Sequence, residues 1–501
     1  MDTRSGSTHR HRGRLLLGAA VAATTVVAAA GATSAAGGGE GKCGDGFQLT
    51  VLHNNDAESE LLGTDDEGGV ARFATLVDEA KQEAAAEGRP AILVTSGDNF
   101  LASPEFSASL NDGTFYDARA VDLLGYDALA IGNHEFDFGP DLLAGFIVES
   151  SSPPFVSANL DVSGEAALDD LFSDRIGRGG RGDRDNGNRT GQDRIFQSVV
   201  VQQGGERIGI VGATTPNLPF ISSPRDVIVE EVVPAVQTEI DRLEQRNVDK
   251  IVLISHLQDV EGDVALAGQL NGIDVMIAGG GDELLASPGD PLLPSQDPGE
   301  VFDTYPIIAT NADGADVPVV TTSGGYGYVG QLVVEFDCDG NVVGVDDDAS
   351  LPRRVVSTDF ADGVAADPVM QAQVTDPVAS YVASLATNVI AQTEVELDGR
   401  RSSVRSMETN QGNLIADSQL WQATQLAAGF GAPEPDVALQ NGGGIRNDSI
   451  IAAGADPGAT GDVTELDTFD MVPFSNLVTI VPDIPREQFK EILENAISRT
   501  Q

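Results

Sequence analysis

Seven short apolar runs, each bounded by Gly, Asn or Asp, recur along the first two thirds of the chain and predict β-strands. Between them lie segments in which apolar residues repeat at helical spacing, most clearly at residues 72–86 and 233–246. Strands that alternate with helices predict an α/β fold built in layers, with loops at the strand ends available for chemistry. The predicted strands are residues 47–53, 91–95, 128–131, 208–213, 251–255, 275–278 and 331–336.

The net charge of the chain excludes some classes of binding partner. Its 29 basic and 78 acidic residues give a formal net charge of −49. Such a charge excludes binding of a nucleic acid polymer by phosphate neutralisation, and it disfavours anionic membrane surfaces. A hydrophobic content of 41% over 501 residues is enough for sizeable cores, so we expect two domains after a leader.

The first 36 residues have the pattern of a secretory signal peptide. A basic stretch precedes an apolar run at residues 15–36, which contains small residues suited to cleavage, such as Ala30-Gly31-Ala32. The alternative is an N-terminal membrane anchor, but the apolar run is short and rich in Ala and Gly, which favours cleavage. We therefore expect a secreted, cell-surface or periplasmic protein with no transmembrane span in the mature chain. Export permits disulfides, and Cys43 and Cys338 either form one bridge or are two unpaired buried thiols.

Groups that can bind metal ions follow nearly every early predicted strand. Carboxylates, amides and imidazoles that gather on loops at one edge of a sheet indicate a metal or catalytic site more strongly than any of them does singly. These residues are Asp56 and Glu58, Asp98 and Asn99, Asn133 and His134, His256, and Asp282 and Glu283.

Five motifs carry a family resemblance: LTVLHNNDAES from Leu49, VTSGDNF from Val94, AIGNHEFDFG from Ala130, LISHLQ from Leu253 and IAGGGDE from Ile277. Their order and spacing resemble the calcineurin-like metallophosphatase domain of the secreted 5′-nucleotidase family. Later segments, ETNQGNLIADSQLWQA, QNGGGIRND and PFSN, resemble that family's substrate-binding domain.

The resemblance implies a four-layer sandwich of sheets and helices, followed by a smaller α/β domain. We predict a signal peptide at 1–36, the metallophosphatase domain at 46–345, a linker and connecting helix at 346–392, and the substrate-binding domain at 393–501. The connecting helix is predicted at 368–391. Since relatives continue with further strands after a helix like the one at 486–498, the last domain is expected to be incomplete.

The resemblance also assigns roles around two divalent metal ions. Asp98 would bridge the ions, Asp56 would bind the first, and Asn133 and His256 would bind the second. His134 would stabilise charge on the transferred phosphoryl group, oriented by Asp137. A solvated loop carboxylate is the alternative for Asp137.

Two departures from the family pattern bear on the metals. The first motif has Asp56-Ala57-Glu58 where the family usually has Asp-x-His, and the later motif has Gly279-Gly280-Gly281-Asp282 where it usually has Gly-His-x-His. Asp282, or Glu283 one register on, would replace one imidazole. An all-oxygen first site of Asp56, Glu58, Asp98 and Asp282 suits Mn²⁺, Mg²⁺ or Ca²⁺ better than Zn²⁺. The second site loses one donor.

Substrate contacts are expected in the C-terminal region. Guanidinium groups grip phosphate or ribose oxygens, and glycines let the backbone approach a ligand closely. Surface ion pairing is the alternative for the arginines, and core packing is the alternative for Phe474. By resemblance, Phe474 stacks on the base beside Asn476. The predicted substrate residues are Arg401, Arg405, Asn441, Gly443, Arg446, Phe474 and Asn476.

The resemblance implies an exported dinuclear-metal phosphohydrolase. Its substrate would be a nucleoside 5′-monophosphate or a related nucleotide, such as a UDP-sugar or a 2′,3′-cyclic nucleotide, from which metal-activated water releases phosphate. The alternative is a non-catalytic secreted protein that keeps the fold and binds metal or ligand. Retention of both His134 and Asp137 favours the enzyme.

Overall fold

Two β-sheets packed face to face form the centre of the computed structural model. It describes residues 46–151, 153–180, 193–454, 460–473 and 478–498. The predicted signal peptide, Cys43, Phe474 and Asn476 lie outside the described residues.

The first sheet has nine strands in the described part of the chain. Its centre is parallel, and Phe47–Asn54 pairs in parallel with Ala91–Thr95 and antiparallel with Tyr328–Phe336. The strands lie in the order Val342–Val345, Tyr328–Phe336, Phe47–Asn54, Ala91–Thr95, Ala128–Ala130, Phe155–Val156, Ile195–Phe196 and Phe172–Ser173, with Leu351–Arg354 also paired to Tyr328–Phe336.

The second sheet has seven strands among the described residues. Glu206–Thr214 and Lys250–His256 form its parallel centre, with Thr214 opposite His256 at the carboxyl ends. The order is Ile307–Thr310, Asp316–Val320, Val275–Ile277, Lys250–His256, Glu206–Thr214, Ser198–Gln203 and Gly177–Arg178. The last of these strands, Gly177–Arg178, begins a stretch of the sequence that is rich in Gly and Arg.

Side-chain alternation along the strands divides the core into layers. Val51 and Ile254, from different sheets, belong to one buried cluster between the sheets, whereas Leu52 faces the opposite way and packs with helical residues such as Phe73. A third cluster covers the outer face of the second sheet. The two sheets approach each other closely at Gly212, where a Cβ would be 2.2 Å from the Val156 carbonyl oxygen. This helix, sheet, sheet, helix order confirms the predicted four-layer α/β sandwich.

Helices cover both outer faces of the sandwich. Val70–Ala86 buries Phe73, Leu76, Val77 and Ala80, the helical repeat that the sequence predicted. The helices are Val70–Ala86, Pro104–Asp112, Tyr116–Leu124, Pro140–Glu149, Ala166–Asp169, Leu218–Ile221, Val232–Glu244, Val260–Ala267, Pro368–Met370, Asp376–Thr387, Arg401–Val404, Asn410–Leu426, Glu465–Met471 and Arg486–Ser498.

The predicted helix at 368–391 is correct only in part. A π-helical segment, Gln371–Thr375, joins Pro368–Met370 to Asp376–Thr387, where the helix ends. Val389–Gln392 is instead a strand that pairs antiparallel with Asp462–Thr464. The reason is a partner strand about 70 residues further along the chain, which local periodicity cannot show.

The region after this strand has a small core of its own. Leu397, Ile415, Ile445, Val463 and Met471 are its buried members. Leu397–Asp398 pairs with Ile450–Ile451 beside it. Several large apolar side chains here are exposed, among them Trp421, which is 64% exposed on Asn410–Leu426. These residues lie within the predicted substrate-binding domain at 393–501, whose bounds stay a prediction.

Cys338, just after Tyr328–Phe336, is disulfide-bonded. This contradicts the alternative of two unpaired thiols; the only other cysteine in the sequence is Cys43.

Among the described helices, none combines the length and the apolar character that crossing a bilayer requires.

Candidate metal centre

The carboxyl ends of parallel strands from both sheets deliver polar residues to one edge of the sandwich. Asp56 follows Phe47–Asn54, Asp98 follows Ala91–Thr95, and His256 is the last residue of Lys250–His256. Asp56 and Asp98 adopt left-handed backbone conformations, with φ of 50° and 52°. Such conformations are uncommon outside glycine and gather at functional sites.

One buried group of donors consists of Asp56, Asp98 and His256, whose ligand atoms lie within 4.8 Å of one another. His256 Nε2 is 2.9 Å from Asp98 Oδ2, and its Nδ1 is 2.9 Å from the Ser96 carbonyl oxygen, which fixes the ring. Asp56 accepts hydrogen bonds from the Gly280 amide at 3.0 Å and from Asn55 Nδ2 at 2.6 Å. Two carboxylates and an imidazole are suitable ligands for a divalent transition metal.

A second group consists of Glu58, Asp98 and His134, with ligand atoms again within 4.8 Å. His134 Nε2 lies 3.9 Å from Glu58 Oε1 and 4.0 Å from Asp98 Oδ2. Asp98 therefore belongs to both groups. A carboxylate shared between two donor groups is what a bridge between two metal ions requires, so these residues fit a dinuclear centre.

The His134 imidazole is held by a carboxylate at its other nitrogen. Nδ1 lies 2.7 Å from Asp137 Oδ2, and Ser222 Oγ donates to Asp137 Oδ1 at 2.8 Å. The His134 amide donates to Asp98 Oδ1 at 2.7 Å, which ties this loop to the shared carboxylate. Asp137 is thus not a solvated loop carboxylate. The geometry allows two roles for Nε2, as a ligand beside Glu58 or as a partner for substrate oxygens.

Asn133 lies at the same edge, beside His256. Its Oδ1 is 3.0 Å from His256 Nε2 and accepts a hydrogen bond from Gln258 Nε2 at 2.6 Å. Sequence reasoning missed Gln258. The signal that could have found it is its place two residues after His256.

Asp282 is the predicted ligand that the structure does not bring into either group. Its side chain is exposed, and a Cβ added to Gly324 would lie 3.1 Å from Asp282 Oδ1 and 3.1 Å from the Asp56 carbonyl oxygen. Glu283 is half-buried and also belongs to neither group. The loop that would have carried imidazoles thus provides the Gly280 amide to Asp56, but none of its side chains belongs to either donor group.

The electrostatics of the site reflect crowded carboxylates. Burial raises the pKa of Glu58 to about 8, although His134 opposes the shift. Burial would also raise the pKa of Asp98, but the facing His256 and His134 hold it below its ordinary value. Burial would lower the pKa of His134, and the Asp98 and Asp137 carboxylates instead raise it to about 9. This concentration of desolvated negative charge would be relieved by bound cations.

Glu135 is a second residue that sequence reasoning missed, although it stands in the GNHEFD motif. It is fully buried, and its carboxylate accepts hydrogen bonds from the amides of Asp98, Asn99 and Gly132 at 2.7–3.0 Å. It therefore fixes two strand-end loops to each other. The available signal was its acidic side chain between His134 and Phe136 in that motif.

The C-terminal candidates gather around a Gly-rich turn, Gly442–Gly444. A Cβ on Gly442 would lie 2.3 Å from the Val404 carbonyl oxygen, so this turn packs on Arg401–Val404 beside Arg405. Arg446 Nε donates to the Gly443 carbonyl at 2.6 Å. Arg401, Asn441 and Arg446 are exposed, and Arg405 is half-buried. The turn thus brings the predicted arginines together with Asn441 and Gly443.

Comparisons with known proteins agree with this arrangement. The family described as "5′-nucleotidase, C-terminal domain" matches residues 389–501. A 5′-nucleotidase from Mus musculus is 29% identical over 468 residues, covering 90% of this chain and 72% of that protein. A snake venom 5′-nucleotidase from Naja atra is 28% identical, covering 80% of this chain and 70% of that protein.

A solved structure is similar as well. The crystal structure of a 5′-nucleotidase precursor from Thermus thermophilus has 31% sequence identity and a TM-score of 0.62, over 85% of this chain and 74% of that one. Identity at this level over most of both chains, together with the sandwich and the shared carboxylate, leads to one conclusion: the chain belongs to the 5′-nucleotidase family.

Proposed function

We propose that the chain is a metal-dependent phosphohydrolase that releases phosphate from nucleoside 5′-monophosphates or related nucleotides. The observation that carries this proposal is the Asp98 carboxylate, which is shared by two groups of metal-competent side chains. The similar proteins from mouse and Naja atra are named 5′-nucleotidases, which supports hydrolysis of a phosphoric ester.

The residues that would hold metal ions are Asp56, Asp98, Asn133 and His256, with Glu58 beside Asp98. Bound divalent ions would supply an activated water and a positive clamp on the phosphoryl oxygens. The side chains need little movement to serve as ligands, since Ser96 already fixes His256 and the Gly280 amide fixes Asp56.

His134 would stabilise negative charge on the phosphoryl group. Asp137 accepts a hydrogen bond from Nδ1 and leaves Nε2 directed toward the space beside Asp98 and Glu58. The Asp98 and Asp137 carboxylates raise the pKa of His134 and so favour the cationic imidazole, which suits contact with a phosphoryl oxygen. A non-catalytic binding protein would have no use for this arrangement.

The arginines around the Gly-rich turn would bind the nucleotide. Arg401, Arg405 and Arg446 present cationic groups near backbone that glycine leaves accessible. Phe474 and Asn476 stay predictions for contact with the base. The proposed substrates are 5′-monophosphates, UDP-sugars and 2′,3′-cyclic nucleotides.

The metals are proposed to be Mn²⁺, or Mg²⁺ or Ca²⁺, rather than Zn²⁺ at the first position. Asp56 and Glu58 offer oxygen where the family usually offers one imidazole, and hard oxygen donors favour these ions. Asp282 would join the first site only if its exposed side chain turned inward, so it stays a prediction.

The working location is proposed to be outside the cytoplasm, on the basis of the leader pattern at residues 1–36. Names of similar proteins such as the snake venom enzyme support a secreted form.

Phosphate release from AMP tests the proposed function. The protein is treated with a chelator and resupplied with Mn²⁺, Mg²⁺, Ca²⁺ or Zn²⁺ in turn, with His134→Ala measured alongside. We expect turnover with Mn²⁺ that His134→Ala abolishes while the melting temperature of the protein is retained. Absence of turnover with every metal, in a folded protein, would overturn the proposed function; recovery with Zn²⁺ alone would overturn the metal preference.

A further inference from the structure

Gln258 occupies an unusual backbone position at the metal centre. Its φ of 84° lies in the left-handed region, where a residue with a side chain is uncommon. It follows His256 by two residues, and its side chain turns toward Asn133. A non-glycine residue held in such a conformation at a site rich in donors points to a functional side chain.

Gly280 leaves the space that the Gln258 side chain uses. A Cβ on Gly280 would lie 2.9 Å from Gln258 Nε2, 2.8 Å from Gln258 N and 2.9 Å from His256 Nε2. No side chain at position 280 is therefore compatible with the present position of Gln258. The same region would hold the imidazole that the usual Gly-His-x-His pattern places there, and this chain has none.

The end of the Gln258 amide is already at ligand distance from its neighbours. Gln258 Nε2 is 2.6 Å from Asn133 Oδ1, which is itself 3.0 Å from His256 Nε2. Spacings near 3 Å are those between adjacent ligand atoms around one ion with bonds of about 2.1 Å. Rotation of the amide by half a turn exchanges Nε2 for Oε1 at nearly unchanged positions.

We propose that Gln258, through Oε1, is a ligand of the second metal ion and replaces the imidazole that is absent at Gly280. The second site would then consist of Asp98, Asn133, His256 and Gln258. This inference rests on the proposed function only in needing a metal at this edge of the sandwich.

The alternative is that Gln258 only donates its hydrogen bond to Asn133 and so positions that residue. Substitution by glutamate separates the two roles, because a carboxylate can bind a metal ion but cannot donate a hydrogen bond. Gln258→Glu should keep or strengthen metal binding if Gln258 is a ligand, and should weaken it if Gln258 is only a donor.

The experiment measures Mn²⁺ binding to metal-free protein by calorimetry, together with the Mn²⁺-dependent rise in melting temperature. Gln258→Ala should weaken one of two Mn²⁺ sites by about 10- to 100-fold, and Gln258→Glu should bind at least as tightly as the unaltered protein. Gln202→Ala is the matched control. Gln202 is exposed and pairs with Arg207, at the end of the sheet opposite to His256.

Two results would overturn the inference: unchanged Mn²⁺ binding by Gln258→Ala, or weakened binding by Gln258→Glu with its fold intact. Both readouts are independent of turnover. A protein that binds two Mn²⁺ ions, one of them through Gln258, but releases no phosphate would refute the proposed function. It would leave this inference standing.

Discussion

Ser222 donates a hydrogen bond from Oγ to Asp137 Oδ1, the oxygen opposite the one that faces His134. The three side chains form a line that ends at the metal centre. Ser222 comes from the segment after Leu218–Ile221, so a part of the chain 85 residues from Asp137 fixes the carboxylate that orients the imidazole.

Removing the Ser222 hydroxyl should reduce turnover and leave substrate binding nearly intact. One hydrogen bond to a carboxylate contributes about 1.5 kcal/mol, so Ser222→Ala should lower kcat for AMP by about tenfold with little change in KM. Ser222→Thr, which keeps a hydroxyl, should restore most of the rate. Ser223→Ala is the neighbouring control, and an equal loss of rate in that variant would refute the role of Ser222.

Asp98→Asn should remove metal from both donor groups at once, because both include this carboxylate. We expect phosphate release to fall by about a thousandfold or more, a loss of about 4 kcal/mol in transition-state stabilisation. Metal content measured by mass spectrometry should fall for both ions. Asp347→Asn, at an exposed carboxylate, should change neither quantity. Retention of one full equivalent of metal by Asp98→Asn would argue against the bridge.

Arg446→Ala should weaken nucleotide binding more than it slows chemistry. A hydrogen bond to a charged group contributes about 1.5–3 kcal/mol, so KM for AMP should rise by about 10- to 100-fold with kcat changed less. Arg400→Ala is the matched control, since Arg400 already pairs with Asp398 at 2.7 Å on the same exposed segment. The measurement is steady-state kinetics on both variants. A KM of Arg446→Ala equal to that of Arg400→Ala would count against a substrate role for Arg446.

Asp117 should make the free energy of unfolding depend on pH. It is 1% exposed in Tyr116–Leu124, and burial raises its pKa to about 7. The folded state then binds the proton more tightly than the unfolded state, so stability falls as pH rises from about 4 to about 7 and stays low above. Asp117→Asn carries no charge and should be more stable at pH 8 by a few kcal/mol, about 4 at most.

Urea denaturation of Asp117→Asn at pH 5 and pH 8 provides the measurement, with the exposed Asp78→Asn as control. The stabilisation by Asp117→Asn should be larger at pH 8 than at pH 5. A stabilisation of the same size at both values would mean that ionisation of Asp117 is not its source.

The parts of the fold that local pattern determines were predictable. Ala91–Thr95 matches the predicted strand, and most other predicted strands differ from the observed ones by one to three residues at an end. Asp56, Asp98, Asn133 and His256 could be proposed together because the ends of parallel strands meet at one edge. The strand Val389–Gln392 could not be predicted, since its pairing with Asp462–Thr464 is long-range.

The supporting contacts of the site were hidden from sequence for the same reason. Ser222 reaches Asp137 across 85 positions, and Gln258 reaches Asn133 across 125. Neither contact can be read from a window of local sequence. Asp282 was misleading in the opposite sense, because its place after a strand suggested a donor while the turn leaves its side chain exposed.

The exposed position of Trp421 gives the protein an internal optical probe. It is the single tryptophan of the chain, and it lies on Asn410–Leu426 in the region that carries the arginines, while the sandwich with the metal centre contains none. Its fluorescence therefore reports on the C-terminal region alone, and far-ultraviolet circular dichroism follows the whole molecule. A difference between the two transitions on heating measures how independently the two regions unfold.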